Sequence, residues 1–359
     1  MRIALVLGVS SGGVGNHVRS LARGLVERGH RVVVAGPPET GERFGFTAAG
    51  AAFAPVGIGA VPHPGRDLAA LLRLGGPLAG ADAVHAHGVR AGALSGLATR
   101  TPLAVTLHNA PPEATGPRAL VFPVLERIVA RRAETVLGVS GDLVRRMRER
   151  GARDARPAVV AAPPMPPPRR TRAEVRAALG VPEGRPLLLV VARLAAQKGL
   201  DVLLDAVPAI ADRGPRPVVA VAGDGPLRGA LAARAAERDL PVLLLGHRTD
   251  VADLLAAADL FVLPSRWEGP SLVVMEALRA GLPVVATRVG GIPDLYSGTA
   301  LLVAPGDPAA LAAAVGSVLD DAALAGRLRA AAARAAVILP TEDDVLDQVT
   351  GLYRELARR

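Results

Sequence analysis

Residues 2–36 read RIALVLGVSSGGVGNHVRSLARGLVERGHRVVVAG, and this stretch decides the fold. RIALVLG is an apolar run typical of a buried strand, and SSGGVG is a glycine loop. Val18, Leu21 and Leu25 then recur at helical spacing on one face, before Gly29 ends the predicted helix. RVVVAG is the next strand. A strand, a helix and a second strand in this order predict a parallel sheet covered by crossover helices.

The same alternation continues through the rest of the chain and indicates an α/β protein with two Rossmann-like domains. Predicted strands cover residues 83–85, 103–107, 135–139 and 158–161 in the first half, and residues 186–192, 217–223, 241–246, 260–264 and 283–287 in the second. Between the halves, PPMPPP is stiff and cannot join a sheet interior, which predicts a linker. We therefore expect a first domain over residues 1–164 and a second over residues 165–340. Residues 341–359 are predicted to form one helix, N-capped by Thr341, that packs back on the first domain.

Composition narrows the function classes. A chain of 359 residues is long for a single core, so two domains are expected. Half of the residues are hydrophobic and only 2% are aromatic, so the cores must be aliphatic. The absence of cysteine excludes disulfides, thiolate metal sites and a cysteine nucleophile. No apolar run has the length of a membrane span and no signal-peptide pattern is seen, so a soluble, cytoplasmic protein is expected.

The net charge of +9 belongs to the first half of the chain. Up to Pro168 there are 20 arginines against 11 acidic residues, and the density is highest over residues 127–156. Such a run is typical of a solvated helix surface, and it is also suited to an anionic partner such as the inner face of a membrane. A nucleic-acid partner is not expected, because the aromatic side chains on which bases stack are nearly absent.

The first glycine loop, residues 8–15, follows a strand and opens a helix, so its amides could hold a phosphate. Its spacing does not fit the G-x-G-x-x-G dinucleotide fingerprint, and no acidic residue ends the second strand. A nicotinamide-dependent oxidoreductase is therefore disfavoured, while close approach of the loop backbone to a ligand is retained as an expectation.

The second half places cations where ligands of parallel sheets bind. RLAAQKG follows a strand and brings Arg193 and Lys198 to its carboxyl end, where they suit a diphosphate. Lys198 is the single lysine among 42 basic side chains, and a compact ammonium is well suited to a phosphate oxygen. Two strands later, glycines in VAGDGPL allow the backbone to approach the same ligand.

The strongest local pattern is PSRWEGPSLVVMEALRAGLPVVATRVGGIPDL. Its strand end delivers Glu268 into a glycine turn, and Ser271 is predicted to cap the next helix. The helix amides near Ser271 and Leu272 would face a phosphate. Glu276, early on that helix, could accept hydrogen bonds from a vicinal diol such as ribose.

Histidines offer a different interpretation. His85 and His87 in VHAHG alternate along a strand, and together with His108 they could imitate a metal site. Because no acidic or thiol ligand is nearby, polar residues lining a cleft are expected instead, and no metal site is predicted.

Several segments carry a resemblance to a known family. They are GGVGNHV, VTLHN, VLGVSGDL, VARLAAQKGLDVLLDAV, VAGDGPL and residues 244–294, which contain E-x7-E from Glu268 to Glu276. This set resembles retaining glycosyltransferase family 4. The resemblance is dense in the second half and thinner in the first. It implies the GT-B fold, in which two Rossmann-like domains with parallel sheets face a central cleft.

The resemblance also implies roles for residues. Arg193 and Lys198 would bind the donor diphosphate and stabilise the leaving group, Glu276 would hold the ribose, and Glu268 and His108 would contact the transferred sugar. Further donor-binding positions are Gly12, Gly13, Gly223, Asp224, Gly225, His247, Arg248, Gly269, Ser271 and Leu272. The expected partners are a UDP- or GDP-linked sugar and an unknown acceptor, which could be acidic or presented at a membrane.

The chemistry is consistent with these roles. Departure of a nucleoside diphosphate develops negative charge, which a divalent metal or fixed cations must neutralise. The chain has no D-x-D pair, so a metal-independent transferase without a cofactor is expected. Two alternatives remain: a GT-B-type nucleotide-sugar epimerase, and a non-catalytic basic adaptor that binds anionic lipid. The adaptor leaves the second-half motifs without a role.

Overall fold

A computed structural model describes residues 1–10, 12–110 and 121–358. Ser11 of the predicted glycine loop and Arg359 of the last predicted helix lie outside the described residues. The chain divides into two compact units. The first comprises Met1–Val160 together with Pro340–Arg359, and the second is Ala161–Leu339.

The first unit contains a parallel seven-stranded sheet with the order β3-β2-β1-β4-β5-β6-β7. Its strands are β1 Arg2–Leu7, β2 Arg31–Gly36, β3 Ala52–Pro55, β4 Ala83–His87, β5 Leu103–Leu107, β6 Thr135–Gly138 and β7 Ala155–Pro157. Its helices are α1 Gly13–Glu27, α2 Pro38–Phe44, α3 Pro64–Leu78, α4 Val89–Ala98, α5 Val121–Arg132 and α6 Gly141–Glu149, with α15 Glu342–Ala357 added from the end of the chain.

The second unit contains a parallel six-stranded sheet with the order β10-β9-β8-β11-β12-β13. Its strands are β8 Leu187–Val191, β9 Val218–Ala222, β10 Val242–Gly246, β11 Leu260–Leu263, β12 Val284–Thr287 and β13 Leu301–Val303. Its helices are α7 Arg172–Ala178, α8 Leu200–Ala211, α9 Arg228–Glu237, α10 Val251–Ala257, α11 Leu272–Arg279, α12 Ile292–Tyr296, α13 Pro308–Asp320 and α14 Ala322–Ile338.

The α/β class and the parallel sheets predicted from the sequence are confirmed. The sequence reading missed β3 and β13, and it placed β7 three residues too late. All three are short outer strands: β3 and β13 each pair with one neighbour, and β7 ends in Pro157. Strands at a sheet edge need fewer buried residues, so their apolar pattern is weak.

Both faces of the second sheet are buried. Leu187 and Leu189 of β8 pack on one side, and Leu188 and Val190 pack on the other. A strand covered on both faces reads as a continuous apolar run, which is why PLLLVVA is recognisable from the sequence.

Helix α15 returns to the first unit. Thr341 caps it, and the Thr341 hydroxyl and the Asp344 carboxylate each accept from the backbone N–H of the other residue. Its apolar face joins the core beside α1, where Leu346 lies so close to Gly24 that a Cβ there would come within 2.4 Å of it.

Within the described residues, no single helix is long and apolar enough to cross a bilayer. The pair α13 and α14 passes that test together, although the two helices meet at 97°.

Candidate functional site

The candidate site of the second unit lies at the point where the strand order reverses. β8 is the first strand of its sheet, and the chain builds β9 and β10 on one side of it before crossing to β11 on the other. The loops after β8 and β11 therefore leave adjacent strand ends in opposite directions. Ligands of open parallel sheets bind in the crevice that this creates.

Lys198 and Glu268, one from each of these loops, form an ion pair. Lys198 Nζ lies 2.5 Å from Glu268 Oε1, and the two side chains are 20% and 6% exposed. Ser265 Oγ donates to the same carboxylate oxygen at 2.6 Å. The predicted phosphate-binding cation and the predicted sugar-contacting carboxylate are thus hydrogen-bonded to each other, and each side chain orients the other.

Polar contacts fasten the two loops together. Gln197 Nε2 donates to the Trp267 carbonyl at 2.8 Å, and the Arg266 backbone N–H donates to the Gln197 carbonyl at 2.8 Å. The Arg266 guanidinium binds both carboxylate oxygens of Asp201 at 2.6 and 2.7 Å. The Lys198–Glu268 pair is therefore held by its own supporting contacts, which is what preorganises a site.

Glycines allow the neighbouring loops to approach this unit closely. A Cβ on Gly223 would lie 1.9 Å from the Ala192 carbonyl oxygen, and one on Gly225 would lie 2.5 Å from that of Leu194. A Cβ on Gly290 would lie 1.7 Å from the Glu268 carbonyl oxygen. The loops after β8, β9, β11 and β12 are therefore packed backbone to backbone at the carboxyl edge of the sheet.

Ser271 stands at the start of α11 in a conformation that L-residues rarely adopt, with φ 44° and ψ 91°. The prediction that its side chain caps the helix is wrong, because the hydroxyl makes no capping hydrogen bond. The buried Tyr296 hydroxyl instead donates to the carbonyls of Pro270 and Ser271 and holds this segment in place. Backbone held away from its preferred region is common at ligand-binding sites.

Glu276 and Arg193 are two charged groups near this edge whose side chains have no hydrogen-bond partner among the described residues. Glu276 is half-buried, and burial raises the pKa of its carboxyl group. The Glu276 carboxylate forms no hydrogen bond with the part of the chain that the structure describes. Arg193 follows β8 with an exposed guanidinium that likewise has no hydrogen-bond partner among residues 1–10, 12–110 and 121–358. Both groups are free to bind a ligand.

The charged residues at two other predicted donor-binding positions, Asp224 and Arg248, are hydrogen-bonded within their own loops. Asp224 accepts from the Gly225 backbone N–H at 2.7 Å and shapes its own turn. Arg248 is bound to both oxygens of Asp250 at 2.8 and 2.6 Å, which leaves the neighbouring exposed His247 as the available group after β10. Gly269 and Leu272 lie on either side of the strained Ser271.

In the first unit the corresponding reversal lies between β1 and β4. Gly12 and Gly13 are exposed where α1 begins, and a Cβ on either would meet no neighbour within 4 Å. The first turn of α1 carries no acidic residue, so its free amides are not neutralised. Binding of an anion at the N-terminus of α1, expected from the glycine loop, stays a prediction.

Histidines gather at this same edge, in a combination that sequence reasoning missed. His17 of α1, His87 at the end of β4 and His108 after β5 each bring one ring nitrogen within 4.8 Å of the other two. His85 does not line the edge, contrary to the expectation. It is fully buried, with Nδ1 2.6 Å from the Tyr353 hydroxyl and Nε2 2.7 Å from Thr106 Oγ1.

The only sequence signal for His17 was its position one turn into the helix that follows the glycine loop. Burial lowers the pKa of His17 from 6.5 to about 4, and it lowers the pKa of His87 and of His108 well below 6.5. All three imidazoles are therefore neutral near pH 7.

Two family models match the chain and together span both halves. Residues 12–163 match "Glycosyl transferase 4-like domain", and residues 185–321 match "Glycosyl transferases group 1". The chain belongs to the GT-B glycosyltransferases. The family 4 label inferred from the sequence motifs is consistent with these two models, and the solved structures described below confirm the predicted GT-B fold.

Curated relatives match this chain over part of their length. An alpha-D-kanosaminyltransferase of Streptomyces kanamyceticus is 32% identical over 191 residues, which cover 52% of this chain and 49% of that protein. The lipopolysaccharide core biosynthesis mannosyltransferase LpsB of Rhizobium meliloti is 35% identical over 161 residues, or 42% and 46% of the two chains. The chain thus spans about half the length of the curated relatives it matches.

Solved structures share the fold over the whole chain. The crystal structure of Anabaena HepE in complex with UDP superposes with a TM-score of 0.81 at 20% identity, covering 99% of this chain and 100% of that one. A glycosyltransferase from Rickettsia africae gives a TM-score of 0.79 at 18% identity, covering 99% and 98%. At this identity the likeness establishes the fold.

Proposed function

We propose that this glycosyltransferase transfers a hexose-type sugar from a UDP- or GDP-linked donor to an acceptor, with retention of configuration and without a metal ion. The observation that carries the proposal is the Lys198–Glu268 ion pair at the strand-order reversal of the second unit. Arg193, which follows β8, and Glu276, on the helix after β11, have no hydrogen bond to the described residues.

The cations match the charge that the reaction develops. When the bond between the sugar C1 and the diphosphate oxygen breaks, its electron pair remains on the diphosphate. The ammonium of Lys198 and the guanidinium of Arg193 would stabilise that charge. The sequence contains no D-x-D pair to hold a divalent ion, which supports the metal-independent route.

The carboxylates are suited to hydroxyl groups. Glu276 has free acceptor oxygens in a half-buried position, and a carboxylate there can accept two hydrogen bonds from the ribose diol. Glu268 is aimed by Lys198 and Ser265, and its remaining oxygen would accept from a hydroxyl of the transferred sugar. Attack by the acceptor oxygen on the face that the diphosphate leaves would retain configuration, with the acceptor proton passing to the departing phosphate oxygen.

A donor panel tests the proposal. UDP- and GDP-linked hexoses are incubated with the full chain in EDTA, and release of nucleoside diphosphate is measured. We expect release with one donor class, and a loss of about 100-fold or more in Lys198→Ala, since removal of one charge-stabilising donor typically costs that much. Arg234→Ala is the matched control, because Arg234 pairs with Asp205 on the outer surface at 2.5 Å. No release from any donor, or equal loss in the control, would contradict the proposal.

For the acceptor, we propose a molecule presented at the cytoplasmic face of an anionic membrane, approached by the basic surface of the first unit. The side chains of Arg127, Arg131 and Arg145 are exposed on α5 and α6. Arg146, in contrast, binds the buried Glu126 carboxylate at 2.5 Å. We assign the membrane-facing charge to Arg127, Arg131 and Arg145 and not to Arg146, because Arg146 supports the fold.

Charge reversal of Arg127, Arg131 and Arg145 to glutamate should weaken binding to phosphatidylglycerol vesicles at least tenfold, with release of nucleoside diphosphate from the donor unchanged. The matched control reverses Arg228, Arg234 and Arg238 of the second unit. Vesicle binding that survives the first set, or falls equally in the control, would contradict this part of the proposal.

A further inference from the structure

The histidine cluster of the first unit consists of His17, His87 and His108. His87 Nδ1 lies 3.0 Å from His108 Nε2, and the ring of His17 stands 5.1 Å from that of His108 and 5.6 Å from that of His87. Two nitrogen ligands on a tetrahedral zinc ion, each at 2.0–2.1 Å from the metal, lie roughly 3.4 Å apart. The His87 and His108 nitrogens, at 3.0 Å, lie close to that separation, and the His17 nitrogen is within 4.8 Å of both.

A second observation concerns the other ring nitrogen of His87. Nε2 of His87 is buried and has no hydrogen-bond partner among the described residues. Buried polar atoms are rarely left unpaired, because each costs the free energy of its lost hydration. A ligand bound to this cluster would settle the protonation of both His87 nitrogens.

The neighbour His85 supports the cluster without joining it. Both of its ring nitrogens are hydrogen-bonded, one to the Tyr353 hydroxyl and the other to the Thr106 hydroxyl. Its ring stacks on that of His87 at a centroid distance of 4.3 Å, which fixes the His87 orientation. Supporting contacts of this kind are typical around metal-binding histidines.

We propose that His17, His87 and His108 form a binding site for one divalent transition metal ion of the zinc type. Three neutral imidazoles suit Zn²⁺, Co²⁺ or Ni²⁺ and leave a fourth coordination position open to an exogenous ligand. The three residues lie on α1, at the end of β4 and just after β5, so the rigid sheet edge positions the site.

Titration of the full chain with Zn²⁺ after EDTA treatment and desalting tests this inference. We expect one Zn²⁺ per chain, and at least tenfold weaker binding in His17→Ala. His17 is only half-buried on a helix, where alanine is well tolerated, and circular dichroism checks that the variant is folded. His63→Asn is the control, because His63 is an exposed helix cap and asparagine also caps helices. Absent binding, or binding that depends on His63 and not on His17, would overturn the proposal.

A second measurement uses the unaltered protein. The imidazole NMR signals of the chain's seven histidines are followed during Zn²⁺ addition. Those of His17, His87 and His108 should move together and saturate at one equivalent, whereas those of His63 and His247 should stay. A different set of responding histidines would contradict the site. Neither readout involves sugar transfer, so the outcome is independent of the proposed function.

Discussion

The two units have the same architecture and very different chemistry at equivalent places. In each, a parallel sheet reverses its strand order, between β1 and β4 in the first unit and between β8 and β11 in the second. The first reversal carries three neutral imidazoles, of which that of His87 is buried, and the second carries an ammonium paired with a carboxylate. Six of the seven histidines belong to the first unit, and the only lysine belongs to the second. The fold therefore sets where a ligand binds, and the side chains decide which ligand it is.

The difference also concerns how each site is held. In the second unit, the charged groups are oriented by ion pairs and by loops that glycines bring into backbone contact. In the first, burial and ring stacking hold the imidazoles, and the terminal helix contributes Tyr353 to that support. The two sites should accordingly fail under different perturbations.

Gly290→Ala should cause the largest loss of activity at the site of the second unit. Its φ is 52°, and the added Cβ would meet the Glu268 carbonyl oxygen at 1.7 Å, so the loop must move and Glu268 with it. We expect a loss of about 100-fold in nucleoside diphosphate release and a destabilisation of about 2–4 kcal/mol, measured by kinetics and thermal melting.

Gly298→Ala is the control for this substitution. Gly298 also has a positive φ, of 85°, but its Cβ would meet no atom within 4 Å. It should cost about 1–2 kcal/mol from backbone strain alone and leave the activity within a few-fold. Equal loss of activity in both variants would show that the close contact at Glu268 is unimportant.

Mild acid should lower the stability of the first unit more than that of the second. The pKa of His17 falls from 6.5 to about 4 on folding, and that of His85 falls to about 3, both through burial. Lowered histidine pKa values contribute stability that is complete above pH 6.5 and is lost as the pH falls toward 4 and 3. The first unit should therefore melt about 5–10 °C lower at pH 5 than at pH 7.

The chain provides separate probes for this experiment. Trp267 is the only tryptophan and lies in the second unit, so its fluorescence reports on that unit alone. Circular dichroism reports on both. We expect circular dichroism to show an early transition at pH 5 that tryptophan fluorescence does not. Simultaneous transitions, or an earlier one at Trp267, would contradict the assignment.

Glu276→Gln should have a smaller effect than the substitutions above. It should stabilise the fold and weaken the binding of UDP. Burial raises the pKa of the Glu276 carboxyl group, so its ionisation above that pKa costs folding free energy. Glutamine removes this cost and should raise the melting temperature at pH 7 by about 1–3 °C, while UDP binding weakens by about tenfold. Glu237→Gln, on the exposed end of α9, should change neither quantity.

Much of the second unit could be predicted from the sequence, for a physical reason. Buried parallel strands are continuous apolar runs, and the residues that follow them necessarily lie at one edge of the sheet. That places Arg193, Lys198 and Glu268 together without knowledge of the register. The ion pair between Lys198 and Glu268 could not be predicted, because it depends on how two loops of different length pack against each other.

The first unit was less predictable. His85 and His87 differ by two positions on the same strand, and the pattern alone suggests a shared role. The structure gives them different surroundings, because the hydroxyl of Tyr353, 268 positions further along the chain, is hydrogen-bonded to His85 Nδ1. His17, on α1, lies beside His87 and His108 at the sheet edge, where the sequence pattern predicted His85. Contacts between segments so distant in sequence leave no local pattern to recognise.

Hydrogen exchange of the full chain with and without UDP, in EDTA, tests the central claim most directly. The account predicts slower exchange at the amides of Lys198, Gly223, Gly225, Ser271 and Leu272, which line the second strand reversal. Protection should weaken in Arg193→Ala, with the sheet amides of β8 unaffected. Unchanged exchange at these loops in the presence of saturating UDP and GDP would contradict the account.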